Sequence, residues 1–236
     1  MTVTESLPVV DAVRRALEID ELENGELEID ELGIDGSTPG GHRRVRAVLT
    51  LTTNIALAPA RLWPLLTRPA ELARWLGPVS GDLHEGGRFE APGGVSGRVL
   101  QIAEPHRLSL TWQPGADGAE EPLLLRLDPE DDGTTQLRLR HTVRRGSEEF
   151  ARQGPGSVAV GWEIALLALA AHTDGWRGTC LVPAPAPTPD WLHGPQGADY
   201  LRAWSVRWAA EAIAAGVDEQ VARAGERETV RRHLEV

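Results

Sequence analysis

Two stretches decide the fold, TTQLRLRHTV at residues 134–143 and SVAVGWEIALLALAAHTDGW at residues 157–176. In the first, apolar and polar side chains alternate, which predicts a β-strand with one buried face. The side chains predicted to point inward are Leu137, Leu139, His141 and Val143. In the second, apolar residues recur at the spacing of one broad helical face. These are Trp162, Ala165, Leu166, Leu169 and Ala170. Such a face must cover something, and the apolar side of the preceding strands is the surface that the sequence offers.

The chain before these stretches predicts the rest of the same sheet. The candidate strands are RVRAVLTLTT (44–53), GGRFEA (86–91), GRVLQIAE (97–104), RLSLTW (107–112) and PLLLRLD (122–128). The turns between the later ones are rich in Pro, Gly and Asp, so neighbouring strands should be antiparallel. The alternation predicts that Leu108, Leu110, Trp112, Leu125, Leu137 and Leu139 are buried, and that Arg88, Arg107, Arg138 and Arg140 face outward.

A pair of short helices is predicted at APARLWPLLTRPAELARWLG, residues 58–77. Pro64 should break or kink the first of them, because a proline inside a helix removes one backbone hydrogen bond. The order is therefore strand, two helices, a meander of strands and one long helix. It predicts an α+β fold in which a curved antiparallel sheet wraps around a long C-terminal helix.

Residues 1–42 are predicted to form an acidic N-terminal arm. Val9, Val13, Ala16 and Leu17 fall at helical spacing and predict a short helix. The repeated LEID at 17–20 and 27–30 then predicts a hairpin. Eight acidic residues lie between Glu18 and Glu31. They either bind a basic partner or form a solvated surface, and we favour the second interpretation.

After a central domain at residues 43–182, a proline-rich linker is predicted at 183–197 and a helical tail at 198–236. The tail presents one stripe of large side chains, Tyr200, Leu201, Trp204 and Trp208. Gly216 should end this helix and Asp218 should cap the next. The stripe needs a surface, which is either the sheet domain of the same chain or a second subunit, so a homodimer through the tail is one expectation.

Composition excludes several classes of protein. All 24 basic residues are arginine, so the lysines of phosphate-binding loops, kinases and Schiff-base enzymes are missing. The net charge of −11 argues against nucleic acid or an anionic membrane as a partner. The single cysteine, Cys180, cannot form an internal disulfide and is expected to be structural. With no signal-peptide pattern in residues 1–20 and no long apolar run, we expect a cytoplasmic protein.

Five segments, in this order and spacing, resemble the activator-of-heat-shock-chaperone-ATPase-like group of the START-like (SRPBCC) superfamily. They are APARLWPLLTRPAELARWLGP, GGRFEA, GRVLQIAEPHRLSLTW, DGTTQLRLRHT and GWEIALLALAAH, within residues 43–176. The segment GADYLRAWSVRWAAEAIAAGVDEQVARAG (197–225) resembles the tail of actinobacterial members. The resemblance implies a helix-grip fold with a cavity between the sheet and the long helix. It does not single out a function, because the superfamily includes lipid carriers, aromatase/cyclases, co-chaperones and antibiotic self-resistance proteins.

No motif of a catalytic, metal or cofactor site is apparent. The His residues lack metal-ligand spacing, and the nucleophile-elbow and glycine-rich dinucleotide motifs are missing. His141 points inward and is a ligand-contacting group, the acid/base of a cyclase, or a core histidine; we favour the last. Glu163 lies off the apolar face of the long helix and is expected in solvent.

The leading hypothesis is non-catalytic binding of a hydrophobic small molecule in the cavity, with an aromatic compound as one class of ligand that the tryptophans would suit. The residues expected to contact it are Trp63, Trp75, Phe89, Trp112, Leu125, Leu139, His141, Trp162 and Leu166. The mouth is expected near the short helices at residues 63–76. Two alternatives remain open, a polyketide aromatase/cyclase-like enzyme that uses His141 and a co-chaperone-like interaction module. A cavity of ~300 Å³ or more favours a ligand over the module.

Overall fold

The computed structural model describes residues 7–22, 44–116, 118–173, 175–176 and 183–234. Its centre is an eight-stranded sheet in which every neighbouring pair of strands is antiparallel, in the order β1-β2-β8-β7-β6-β5-β4-β3. The strands are β1 (Val13–Leu22), β2 (Arg44–Ile55), β3 (Ser80–Gly81), β4 (Arg88–Ala91), β5 (Val95–Ala103), β6 (Arg107–Pro114), β7 (Glu121–Pro129) and β8 (Thr135–Gly146).

Eight α-helices accompany the sheet in the described chain. They are α1 (Leu7–Val10), α2 (Pro59–Thr67), α3 (Pro69–Leu72), α4 (Ser147–Gln153), α5 (Gly156–His172), α6 (Pro189–His193), α7 (Pro195–Ala214) and α8 (Glu219–Leu234). The long helix α5 faces the inner side of the sheet, with α2 and α3 beside it. This is the helix-grip arrangement, so the predicted fold class is confirmed.

The register of the sheet follows the predicted alternation. Leu139 of β8 stands between Leu51 of β2 and Leu125 of β7, all on the inner face. Leu108, Leu110, Leu137 and Leu139 are buried as predicted. Arg138 and Arg140 are on the outer face but only partly exposed. Trp112 and Leu125 are half-buried, because both border an open cavity.

The prediction of a helix through residues 9–17 is wrong. Only Leu7–Val10 is helical, and Val13–Leu22 forms the edge strand β1, which pairs with β2. Val13 and Leu17 are buried on its inner face, and Arg15 lies between them. Because Arg15 is charged, it interrupts the alternation of apolar and polar residues, and the strand could not be recognised from the sequence. The predicted hairpin does not form at 17–20, since these residues pair with β2, and residues 27–30 lie outside the described residues.

Of the break or kink expected at Pro64, the break does not occur, because α2 runs through this residue. The helix continues to Thr67 and ends at Arg68, whose backbone is extended (φ −94°, ψ 125°). The cause is Pro69, because the residue before a proline is driven out of the helical region. The break between the two short helices therefore falls at Arg68, four residues after Pro64.

The tail packs against its own chain. Tyr200, Leu201, Trp204 and Trp208 of α7 are buried, with α5 and β1 as neighbours of this helix. Asp218 Oδ1 accepts hydrogen bonds from the first backbone N–H groups of α8, as predicted for a cap. In the described chain no single helix is long and apolar enough to cross a membrane. The helices α4 and α5, which meet at a bend of 55°, reach the necessary length and apolar composition only when they are taken together.

Candidate functional site

A cavity of about 290 Å³ lies between α5, the inner face of the sheet and the short helices. This volume is at the lower end of the range for small-molecule sites, ~300 Å³. Its lining is apolar except for Thr67 and Glu104. The lining residues are Trp63, Leu66, Thr67, Leu72, Trp75, Leu76, Val79, Leu83, Phe89, Ala91, Val99, Ile102, Glu104, Leu108, Leu110, Trp112, Leu123, Leu125, Leu137, Leu139, Trp162, Ala165, Leu166 and Leu169.

One wall of the cavity is aromatic. The ring centroid of Trp112 lies 4.9 Å from that of Trp162 and 6.2 Å from that of Phe89, both in tilted arrangements. Gly97 makes room for Phe89, because a Cβ at this position would come within 2.6 Å of the phenyl ring. Three elements, β4, β6 and α5, thus present flat apolar surfaces to one space, which is the kind of lining that suits an aromatic ligand.

The short helices close the cavity from one side. Trp63 and Leu66 of α2 are buried, whereas Trp75 and Leu76 after α3 are half-exposed. The indole N–H of Trp75 donates to the carbonyl oxygen of Leu65 at 2.9 Å, which ties the segment after α3 back onto α2. Together with Glu104, an exposed lining residue, these half-exposed side chains place the mouth beside α3, next to the predicted position.

His141 is not among the lining residues; it lies behind Trp162. The indole N–H of Trp162 donates to Nδ1 of His141 at 3.0 Å, and the two rings meet edge-on. Because indole is only a donor, Nδ1 carries no proton and Nε2 must hold the hydrogen of the neutral ring. Nε2 lies 3.0 Å from Oε2 of Glu121, but the two atoms are not aligned for a hydrogen bond. Both ring nitrogens therefore face protein groups.

Glu121 completes this arrangement. Its side chain is buried, and Oε1 accepts a hydrogen bond from Nη1 of Arg145. Burial alone would raise the pKa of Glu121, but the nearby His141 and Arg145 hold it below the ordinary value of 4.5. A line of contacts thus runs from Arg145 through Glu121 and His141 to the Trp162 ring, and it fixes the orientation of that ring.

The expectation that Glu163 is solvated is wrong. Its carboxylate is fully buried, with Oε1 2.6 Å from Nε of Arg15 and Oε2 3.1 Å from Nη2 of the same guanidinium. The indole N–H of Trp208 also donates to Oε1, at 2.9 Å. Burial raises the pKa of Glu163 although both partners favour the carboxylate. A glutamate within an apolar helical run was the one available signal, but its partners lie in β1 and α7 and could not be identified from sequence.

Of the nine residues predicted to contact a ligand, eight line the cavity and His141 does not. The fifth tryptophan of the domain, Trp176, is buried outside the cavity and forms a bridge with Ile55. Arg88 is exposed and Arg107 partly so, while Cys180 lies outside the described residues. The alternation of apolar and polar residues along strands did not identify the lining residues between α3 and β4, such as Val79 and Leu83. Within the described residues no group of His, Cys, Asp or Glu is placed to hold a metal ion.

Comparisons with known proteins give both a family and a fold. The family model described as Activator of Hsp90 ATPase homolog 1-like protein matches residues 56–174. The crystal structure of CalU16 from Micromonospora echinospora is similar with a TM-score of 0.58 at 24% sequence identity, covering 86% of this chain and 99% of CalU16. Its solution NMR structure gives 0.57 at 26% identity, covering 87% and 97%.

A second similar structure is that of EF2215 from Enterococcus faecalis, a conserved protein of unknown function. It has a TM-score of 0.53 at 16% identity and covers 91% of this chain and 99% of EF2215. No curated protein matches the chain. The structural similarity extends well beyond the residues that the family model matches, so parts of the chain outside residues 56–174 also belong to the shared fold.

Proposed function

The chain belongs to the Activator of Hsp90 ATPase homolog 1-like family, and on that premise we propose that its START-like domain binds a hydrophobic, aromatic small molecule without transforming it. The observation that supports this most is the cavity of about 290 Å³, whose lining contains four tryptophans and Phe89. Burial of flat apolar surface against such a lining is favourable at roughly 25 cal/mol per Å². The predicted contact residues other than His141 are proposed as its binding surface.

Catalysis by His141 has less support. A general acid or base must reach the proton it transfers, and His141 is separated from the cavity by the Trp162 ring. Its second nitrogen faces the buried carboxylate of Glu121. We propose that His141 positions Trp162 and does not contact a ligand.

An interaction module acting on another protein also has less support. Among the described residues Val206 is the one large apolar side chain that is exposed, at 39%. Docking sites for partner proteins usually present a contiguous apolar patch, which an isolated valine does not provide. The aromatic stripe of α7, the other candidate surface, is covered by its own chain.

The proposal is tested by titrating the purified protein with a panel of polycyclic aromatics and fatty acids. Binding should quench tryptophan fluorescence and raise the melting temperature, because a ligand bound only by the folded state stabilises it, by ~2.7 kcal/mol at 100 times Kd. Native mass spectrometry would report a ligand that co-purifies. If the whole panel changes neither fluorescence nor melting temperature, ligand binding is refuted and the interaction module takes its place.

A matched pair of variants locates the site. Ala165→Phe places a ring into the cavity from α5 and should abolish binding, because Ala165 is one of the lining residues. Ala210→Phe adds the same ring to an exposed position of α7 and should leave binding unchanged. Unchanged binding in both variants would mean that the ligand binds elsewhere.

A further inference from the structure

The four tryptophans of the cavity differ in what their indole N–H groups bind. Trp75 donates to the carbonyl oxygen of Leu65 and Trp162 donates to His141. Trp63 and Trp112 make no indole hydrogen bond within the residues that the structure describes. Two of the four donors are therefore satisfied by the protein and two are left for something else.

The two remaining donors are open to access. Within the described chain Trp176 is the one tryptophan whose Nε1 is both sealed from solvent and unpaired. The Nε1 atoms of Trp63 and Trp112 therefore reach accessible space. Both residues line the cavity, and Trp63 is only 4% exposed overall, so we take the cavity to be the space that these donors reach. A donor that loses water without gaining a partner costs free energy, so a ligand that fills this space should satisfy it.

The other polar groups of the lining limit which polar groups a ligand can carry. The hydroxyl of Thr67 donates to the carbonyl oxygen of Trp63 within its own helix. Glu104, at the mouth, is an acceptor that repels anions. The lining contributed by the described parts of the chain includes no Arg or His, so a buried carboxylate would lack a cationic partner there, at high cost in free energy. The cavity thus suits a neutral acceptor better than the head group of a fatty acid.

Resting on the proposed function, we infer that the ligand is a fused aromatic compound carrying a neutral hydrogen-bond-accepting oxygen, such as the carbonyl of a ketone or quinone. The indole N–H of Trp63 or of Trp112 donates to this oxygen, while the ring system packs against Phe89 and Trp162. The two indoles that bind protein groups supply only their ring surfaces.

The test uses 9-fluorenone and fluorene, which share one ring skeleton and differ in the carbonyl group. Their dissociation constants are measured by equilibrium dialysis. Fluorenone should bind more tightly by roughly 3- to 10-fold, the net effect of one hydrogen bond. Equal affinities would overturn the inference and leave the proposed function standing. Absence of binding by both probes would contradict the inference together with the proposed aromatic ligand.

Isosteric variants identify the donor. Trp63→benzothienylalanine and Trp112→benzothienylalanine keep the bicyclic shape and replace the N–H with sulfur. In at least one of them, and in the double variant, the preference for fluorenone should fall towards 1. The control, Trp75→benzothienylalanine, removes an N–H that already binds Leu65 and should keep the preference. Because the readout is a ratio of two affinities, general loosening of the cavity cancels. A preference that survives in the double variant would overturn the inference.

Discussion

Trp162 and Glu163 are neighbours on α5, yet their side chains point to different sides of the helix and have very different surroundings. Trp162 is half-buried and borders a space that protein atoms leave open. Glu163 is fully buried and meets Arg15 of β1 and Trp208 of α7. One face of α5 thus forms a wall of the cavity, and another face is covered by the N-terminal strand β1 and the tail. We call these the cavity side and the sealed side of the molecule.

The difference shows how a small domain can contain a cavity and remain folded. Side chains around an unfilled space lose packing contacts, which lowers stability. On the sealed side, β1 and α7 add buried apolar side chains, among them Val13, Leu17 and Trp204, to the core of the sheet and α5. We interpret β1 and the tail as the elements that compensate for the cavity.

The largest effect is expected on the sealed side. Arg15→Met and Glu163→Leu should each lower the free energy of unfolding by roughly 3–5 kcal/mol, because each leaves a buried charge without its partner. The double variant should recover much of this loss, since it removes both charges together. Urea unfolding of the three variants and the wild type measures the effect and the coupling between the two positions.

An exposed ion pair on the same side of the molecule, between the α1–β1 turn and α7, is the matched control. Nη2 of Arg207 lies 2.8 Å from Oδ1 of Asp11, and both side chains are well exposed. Arg207→Met should therefore cost only ~0–1 kcal/mol. If Arg15→Met were equally mild, the sealed side would not depend on its buried ion pair.

Substitution of one tryptophan on each side allows a direct comparison of the sealed side with the cavity side. Trp208 is completely buried, so Trp208→Ala should cost roughly 3–5 kcal/mol. Trp112 borders the cavity and is half-buried, so we expect Trp112→Ala to cost less than half as much, because fewer packed contacts are lost. Thermal and urea unfolding without ligand measure both. Equal losses would mean that Trp112 is an ordinary core residue and that the cavity wall is not open.

Much of the cavity side was predictable from sequence. Period-two alternation places Leu139 and Trp112 on the inner face of the sheet, and helical spacing places Trp162 and Leu166 on the inner face of α5. Since the fold brings these faces together, local periodicity was enough to find most of the lining. It could not show that the rotation of α5 leaves the Trp162 ring between His141 and the open space.

Most contacts of the sealed side could not be predicted from the sequence. Arg15 and Glu163 are 148 residues apart, and each interrupts an apolar pattern when its own segment is considered alone. Only their pairing in space explains why both are buried. Trp208 was expected on a buried stripe, but the choice of its partner, its own chain or a second subunit, depended on the docking of α7. Local patterns do not contain such long-range choices.

The smallest expected effect is a difference in pH dependence between the two buried carboxylates. The pKa of Glu121 is lowered, so its contribution to stability is present above the ordinary value of 4.5 and is lost as the pH falls through its folded-state pKa. The pKa of Glu163 is raised, so its contribution is present at low pH and declines as the pH rises through its folded-state pKa. We expect the effect to be small, because burial opposes the polar partners at both sites.

The measurement is the free energy of unfolding of the wild type, Glu121→Gln and Glu163→Gln between pH 7 and pH 3. Glutamine keeps the shape of each side chain but cannot titrate, so other titrating groups cancel in the differences. The advantage of the wild type over Glu121→Gln should shrink as the pH falls below about 4.5, the ordinary pKa. Its advantage over Glu163→Gln should instead grow as the pH is lowered from 7. Parallel curves would show that the two carboxylates lie in equivalent environments, and the contrast between the cavity side and the sealed side would then not extend to their electrostatics.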